Sequence, residues 1–237
     1  MDLSEIARIC DRHHGIGADG VMIFQGLAGD LVQLDHLDPD GARSLCLNGV
    51  RATLACLHSQ GKIRTLGRVR CEGVTAQFKI SEKVHLGIPL PEDGWRGWMG
   101  ANLRKCYEDC WIEGHYVDVG NPHVIITQEM ELAAFRRLAP KVRADGDFPR
   151  GANVHWVRLQ DDVWNIYSYE RGVEGFTLAC GSGMLAAAAV LLRQGDHNQI
   201  TFCPEGEGEV TLAYRDRMIW MSGPTRWVVK GEWLCGC

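Results

Sequence analysis

Apolar residues at the start of the chain recur at helical spacing. Leu3, Ile6, Ala7 and Cys10 share one face, which predicts a helix over 2–13. The glycine-rich turn GIGADG (Gly15 to Gly20) ends it. Strand patterns follow over 21–24 and 31–37, the second with partial alternation: Leu31, Gln33 and Asp35 against Val32, Leu34 and His36. After the polar turn DPDG (Asp38 to Gly41) and the segment LCLNG, periodicity predicts a helix over 50–59. Short β-like runs then fill 62–88 and stop before Pro89.

The pattern restarts near His115. YVDVGNPHVIIT reads as two strands around Gly120, Asn121 and Pro122. A helix is expected over 131–138, ending before Pro140, because proline cannot continue a helix interior without losing a hydrogen bond. Strands are expected over 153–158 and 163–169. The segment ERGVEGFTLACGSG leads into a helix over 184–193, and four β-like runs close the chain at 199–202, 209–214, 218–222 and 226–229. Many strands with few helices indicate an α+β fold.

Within this order one unit occurs twice. Cys46-Leu47-Asn48-Gly49 precedes a helix in the first half, and Cys180-Gly181-Ser182-Gly183 precedes one in the second. The expected organisation is two halves, 1–113 and 114–224, with the C-terminal run 225–237 able to rejoin the first. Two copies of one unit tend to pack about a pseudo-twofold axis, an arrangement that would bring the two helix starts face to face.

Such a pairing carries chemistry. A helix N-terminus offers unpaired N–H groups and the positive end of a dipole, so it binds carboxylates and favours a thiolate. Two cysteines on opposite faces of an α-carbon can remove a proton from one side and return one to the other. That inverts the centre without a carbonyl-binding cofactor, provided donors are concentrated there and water is excluded. The bland reading of a cysteine beside a helix is a small buried hydrophobe, and it is preferred for Cys56, Cys71 and Cys203. Cys106 and Cys110, with His115 nearby, give half a metal set with no second pair at suitable spacing, so no metal is assigned. His13 and His14 read as charge at a helix C-terminus.

Composition narrows the setting. The chain has 237 residues, net charge −5 and 46% hydrophobic residues, ordinary for a globular protein that binds neither nucleic acid nor membrane. No apolar run reaches the roughly 20 residues a membrane span needs. The charged, amphipathic start MDLSEIARIC does not read as a secretory signal, so the ten cysteines are expected to be reduced thiols in the cytoplasm.

The blocks GIGADG, DPDG…LCLNGVR, VGNPH, FPRGANV, YERG…TLACGSG and MSGP, in this order and near this spacing, resemble the signature blocks of the diaminopimelate epimerase family. The resemblance spans almost the whole chain. It implies two pseudo-symmetric, mixed-sheet, barrel-like halves, each around a central helix, and a homodimer. It also implies cofactor-independent epimerisation of LL- to meso-diaminopimelate in lysine biosynthesis. By resemblance, Cys46 and Cys180 are the catalytic cysteines, and His123 and Glu170 tune the thiols. Asn48, Gly181 and Ser182 hold the reacting carboxylate. Asn121 and Asn153 recognise the distal amino-acid group, and Glu170 and Arg171 hold the substrate's amino and distal carboxylate groups. The bland alternatives are a turn-shaping Asn121 and a surface ion pair of Glu170 with Arg171.

The departures are specific. The family's opening strand, with a motif like MHGxGNDF, is not in this sequence, and a missing strand leaves a sheet edge unpaired. Leu47 stands where the family has glycine, in the carboxylate-binding turn, and its side chain is expected to crowd that turn. Gly20 stands for a common glutamine, and Asp38 for the usual asparagine, where an aspartate would repel a distal carboxylate. These changes keep two alternatives open: a racemase of another amino acid on the same fold, and an inactive relative that binds a ligand or partner.

Overall fold

In the computed structural model, which describes residues 3–194, 197–206 and 208–234, the hydrophobic pattern becomes two compact units. The first runs to Val84 and is rejoined by the chain from Pro224 onward; the second is His85–Gly223. Residues 85–113, read from sequence with the first half, pack within the second unit.

In the first unit, helix α1 (Leu3–Cys10) buries Ile6, Ile9 and Cys10. It ends short of the expected residue 13. The Asp11 carboxylate accepts the backbone N–H groups of His13 and His14 at 2.7 and 2.6 Å, a local turn that competes with helix. Strands β1 (Val21–Ala28) and β2 (Leu31–Leu37) form an antiparallel hairpin turning at Gly29, whose φ of +65° suits glycine. Helix α2 (Leu47–Ser59) buries Val50, Leu54 and Leu57. Strand β3 (Leu66–Cys71) then runs parallel to β2, and β4 (Val74–Ile80) returns antiparallel to it.

The second unit begins within β5 (Val84–Pro89). A hairpin of β6 (Met99–Tyr107) and β7 (Cys110–Asp118) follows, then β8 (Pro122–Ile126), α3 (Leu132–Arg143), β9 (Asn153–Gln160) and β10 (Val163–Glu170). The short β11 (Gly175–Thr177), α4 (Gly181–Gln194), β12 (Gln199–Pro204), β13 (Val210–Arg215) and β14 (Met218–Gly223) complete it. Its strands lie in the order β5-β14-β13-β12-β10-β9-β8-β7-β6, with β11 beside β10. Phe135, Leu138, Val142 and Trp156 form its core against β6–β9.

Two expectations change, and one hairpin falls where no element was read. The hairpin of β6 and β7 turns on Glu108 and Asp109, both at positive φ, so it lacks the glycine that marks such turns in sequence. Helix α3 runs through Pro140 to Arg143, because Leu138, Ala139 and Val142 are buried and anchor the last turn beyond the proline. Residues 226–229 form no strand; 225–229 instead line a groove with Met22 and Phe24 of β1 and the outer face of α2. Within the expected C-terminal run, 235–237 lie outside the described residues.

The internal repeat is visible in the pairing. In both units a helix leads into an antiparallel hairpin, β1–β2 or β9–β10. A cysteine and a helix come next, then a strand parallel to the hairpin's second strand, then an antiparallel return. The α+β class follows directly.

Candidate active site

Each unit places its cysteine at the same point. Cys46 is the N-cap of α2, with φ −110° and ψ 93°, and its sulfur accepts the Gly49 N–H at 3.3 Å. Cys180 immediately precedes α4, its carbonyl accepts the Met184 N–H at 3.0 Å, and its sulfur accepts the Gly183 N–H. Both sulfurs therefore sit on the positive end of a helix, in the role usually filled by Ser, Thr or Asp. The third residue of each helix is glycine because the space is taken. A Cβ on Gly49 would lie 2.8 Å from Met22 Sδ and 3.2 Å from Cys46 Sγ. A Cβ on Gly183 would lie 2.2 Å from His155 Cε1.

Around Cys46 the electrostatics are set by Arg51. This side chain is buried, and its Nη2 donates to Asn48 Oδ1 at 2.9 Å. Its Nε and Nη1 find no partner among the described residues. Burial lowers the guanidinium's pKa and attraction to Cys46 opposes that, an attraction that exists only when the cysteine carries charge. The neighbouring Cys71 thiol is pushed up to about 12, first by burial and then by Glu72, so it stays neutral as the bland reading expected. Asp38 is occupied locally: Ser44 Oγ donates to its Oδ1 at 2.8 Å, and the His36 ring lies 3.7 Å away.

Around Cys180 the surroundings are buried and polar. Burial, and then the Glu170 carboxylate, which accepts the thiol's hydrogen bond, raise the Cys180 pKa well above 9.0. Glu170 is held by the Thr177 hydroxyl. His123 of β8 and His155 of β9 meet behind this group, Nδ1 to Nε2 at 2.9 Å, and His155 Nδ1 pairs with Ser168 Oγ at 2.9 Å. Both rings are fully buried and neutral. Burial, with the Arg171 charge as a smaller cause, holds His123 down to about 3, and burial holds His155 well below 6.5. Asn153 faces inward at 5% exposure. Its Nδ2 donates to the Pro122 carbonyl at 3.2 Å and its Oδ1 accepts the Arg171 N–H at 2.9 Å, so it fixes the start of β8 to the end of β10.

A family model described as diaminopimelate epimerase matches residues 115–228. A diaminopimelate epimerase of Methanothrix thermoacetophila is 31% identical, over 96% of this chain and 85% of its own length. The chain belongs to the diaminopimelate epimerase family. A diaminopimelate epimerase of Caldanaerobacter subterraneus subsp. tengcongensis is also 31% identical, over 98% of this chain and 91% of its own. Among solved structures, a hydroxyproline epimerase from Agrobacterium vitis shares the fold at TM-score 0.64 and 14% identity. That match covers 92% of this chain and 75% of the other. A phenazine biosynthesis protein of the PhzF family from Bacillus anthracis does so at TM-score 0.61 and 14% identity, covering 95% and 86%. The protein is an amino-acid epimerase, and none of its described helices is long and apolar enough to cross a membrane.

The structure brings the predicted residues of this epimerase into two clusters. Cys46, Leu47 and Asn48 open α2 in the first unit. His123, Asn153, Glu170, Arg171, Cys180, Gly181 and Ser182 gather at the starts of β8, β9 and α4 and the end of β10. Asn121 shapes the tight turn before β8, its carbonyl accepting the Val119 N–H at 3.2 Å. Arg171 Nη1 donates to the Arg150 carbonyl at 2.6 Å. Leu47, expected to crowd the turn, has its side chain buried at 2% exposure. Gly20 is explained by its neighbour: a Cβ there would lie 2.4 Å from His36 Nε2, so the imidazole fills the room a larger side chain would need. Sequence reading missed three residues. Arg51 was within the quoted LCLNGVR block, five positions after Cys46. His155 lies two positions after Asn153 on the same strand face, and Ser168 is its cross-strand partner. Period-two spacing from a candidate site residue was the available signal for His155.

Proposed function

We propose that this enzyme inverts the α-carbon of diaminopimelate, LL to meso, without a cofactor, using Cys46 and Cys180 as paired base and acid. The observation that carries this reading is the matched capping geometry. Two cysteines, one per repeat, each hold a sulfur over the N–H of a glycine at a helix start. The names of the relatives supply the substrate, and the product would serve lysine biosynthesis.

The two environments divide the labour. Cys46 lies beside a buried guanidinium, which favours the thiolate that takes the α-proton. Cys180 is kept as a thiol by burial and by Glu170, and it delivers a proton to the opposite face. N–H groups at a helix start suit the α-carboxylate, where each donor aimed at the developing charge is worth about 3–4 kcal/mol. The part of the Arg171 fork not engaged by the Arg150 carbonyl is suited to the distal carboxylate.

The test is inversion of LL-diaminopimelate in deuterated water. The native enzyme should deliver meso product carrying deuterium at the inverted carbon. Cys46→Ala and Cys180→Ala should each lose roughly 10²–10⁴-fold in turnover, the usual range for a positioned acid or base. Full turnover in either variant would refute the two-thiol mechanism.

A second reading, a racemase of another amino acid, is favoured by the first unit, where Gly20, His36 and Asp38 form a packed polar group. A panel of amino acids with chiral readout separates the two. Inversion confined to diaminopimelate removes the second.

A further inference from the structure

We propose that His123, His155 and Cys180 form a binding site for one thiophilic divalent cation of the zinc type, and that filling it switches the enzyme off. The binding claim rests on the geometry of the second unit alone. The inhibition claim rests also on the reading that Cys180 is a working thiol.

One ligand atom from each of the three side chains lies within 4.8 Å of the other two, and all three residues are buried. Two imidazoles and a thiolate are the donor set zinc prefers, and a carboxylate or water completes a tetrahedron. Glu170, already hydrogen-bonded to the cysteine, is at hand for the fourth position. His155 is oriented from behind by Ser168, as metal-binding histidines usually are by a second group. His123 Nε2 is fully buried and has no partner among the described residues, so the ring's hydrogen-bonding capacity is not spent within the fold. Gly183 keeps open the space His155 occupies.

The two facing nitrogens stand 2.9 Å apart. Two nitrogens each about 2.0–2.1 Å from one zinc in a tetrahedral set need only a few tenths of an ångström more. The proton shared between the rings moves to His123 Nε2, which frees both facing nitrogens. The thiol proton leaves to solvent as the metal–sulfur bond forms, so one cation binds for one proton released. A metal-bound sulfur has no proton to donate, and inversion stops.

The experiment is a titration of the full-length, chelator-treated protein with Co2+, followed by absorption. One equivalent should give a thiolate-to-cobalt charge-transfer band with tetrahedral d–d intensity, displaced by Zn2+. Cys180→Ser should abolish the band. His155→Asn, which removes a direct ligand, should weaken binding by at least roughly 100-fold, and the zinc concentration that halves turnover should rise by the same factor. Should His155→Asn fail to fold, one equivalent of Zn2+ should still raise the thermal midpoint of the native protein and not that of Cys180→Ser. A band unchanged in Cys180→Ser, or one removed instead by Cys106→Ser with Cys110→Ser, overturns the site. The expected band in the native protein, with undiminished inversion by Cys180→Ala, would leave the site standing and overturn the thiol mechanism, so the two failures are distinguishable.

Discussion

Arg51 carries two buried nitrogens without partners among the described residues and sits in the first turns of a helix, near the end where a cation is least welcome. Each unsatisfied buried donor costs roughly 1–3 kcal/mol. The same charge attracts Cys46, the thiol proposed as the base. Arg51→Met should therefore leave the urea midpoint equal or higher, while kcat/KM falls at least roughly tenfold, the loss expected when a charge that stabilises the thiolate is removed. A large loss of stability with kcat/KM unchanged would show the opposite role. Gly20 and His36 give a second test at this scale. Gly20→Ala alone should cost about 1–3 kcal/mol through overpacking against the imidazole. In a His36→Ala background the same change should cost at least about 1 kcal/mol less, because the two side chains compete for one space. Additive losses in denaturant melts would contradict that account.

At the scale of elements, the two capping turns look alike but differ in slack. Met22 beside Gly49 is an unbranched, flexible chain, whereas His155 beside Gly183 is held at both ring nitrogens. Gly183→Ala should thus cost about 1–3 kcal/mol, and Gly49→Ala clearly less, as measured by thermal unfolding. The same turns explain what was legible in the sequence. Cysteine, glycine and the onset of an apolar helix mark both caps, and β2 and the central helices follow from periodicity. The hairpin of β6 and β7 was invisible because its turn is Glu108–Asp109 rather than a glycine pair. Helix α3 overran Pro140 because burial of Val142 outweighs one lost hydrogen bond. His155 and Arg51 escaped because their significance lies in what they touch across the fold.

For the whole molecule, the family match over residues 115–228 lies within the second unit except for its last residues, while Gly20, Asp38 and Leu47 all belong to the first. The second unit also sets how stability responds to pH. His123 and His155 stay neutral when folded but take protons below about 6.5 when unfolded. The unfolded chain then binds more protons, so stability falls as pH drops from 6.5 toward 3, by up to about 1.4 kcal/mol per pH unit for each ring. At the alkaline end, Cys180, joined by Cys71 of the first unit, ionises near 9.0 only in the unfolded chain, so stability falls again as pH rises past that value. Urea midpoints between pH 4 and 10 should form a plateau around about pH 7–8, with an acid limb that His155→Phe makes shallower. An acid limb of unchanged slope in that variant would remove the histidine pair as its cause.

The division of the chain bears on its synthesis. The second unit is one unbroken stretch, His85–Gly223, whereas the first is assembled from both sides of it. Arg8 lies over the Trp233 ring at 5.7 Å, and 225–229 pack beside β1 and α2. Domains generally fold in order from the N-terminus as they leave the ribosome. Here that order reverses: the unit begun second is finished first, and the segment carrying Cys46 waits for residues from Pro224 onward, which are translated after the whole second unit.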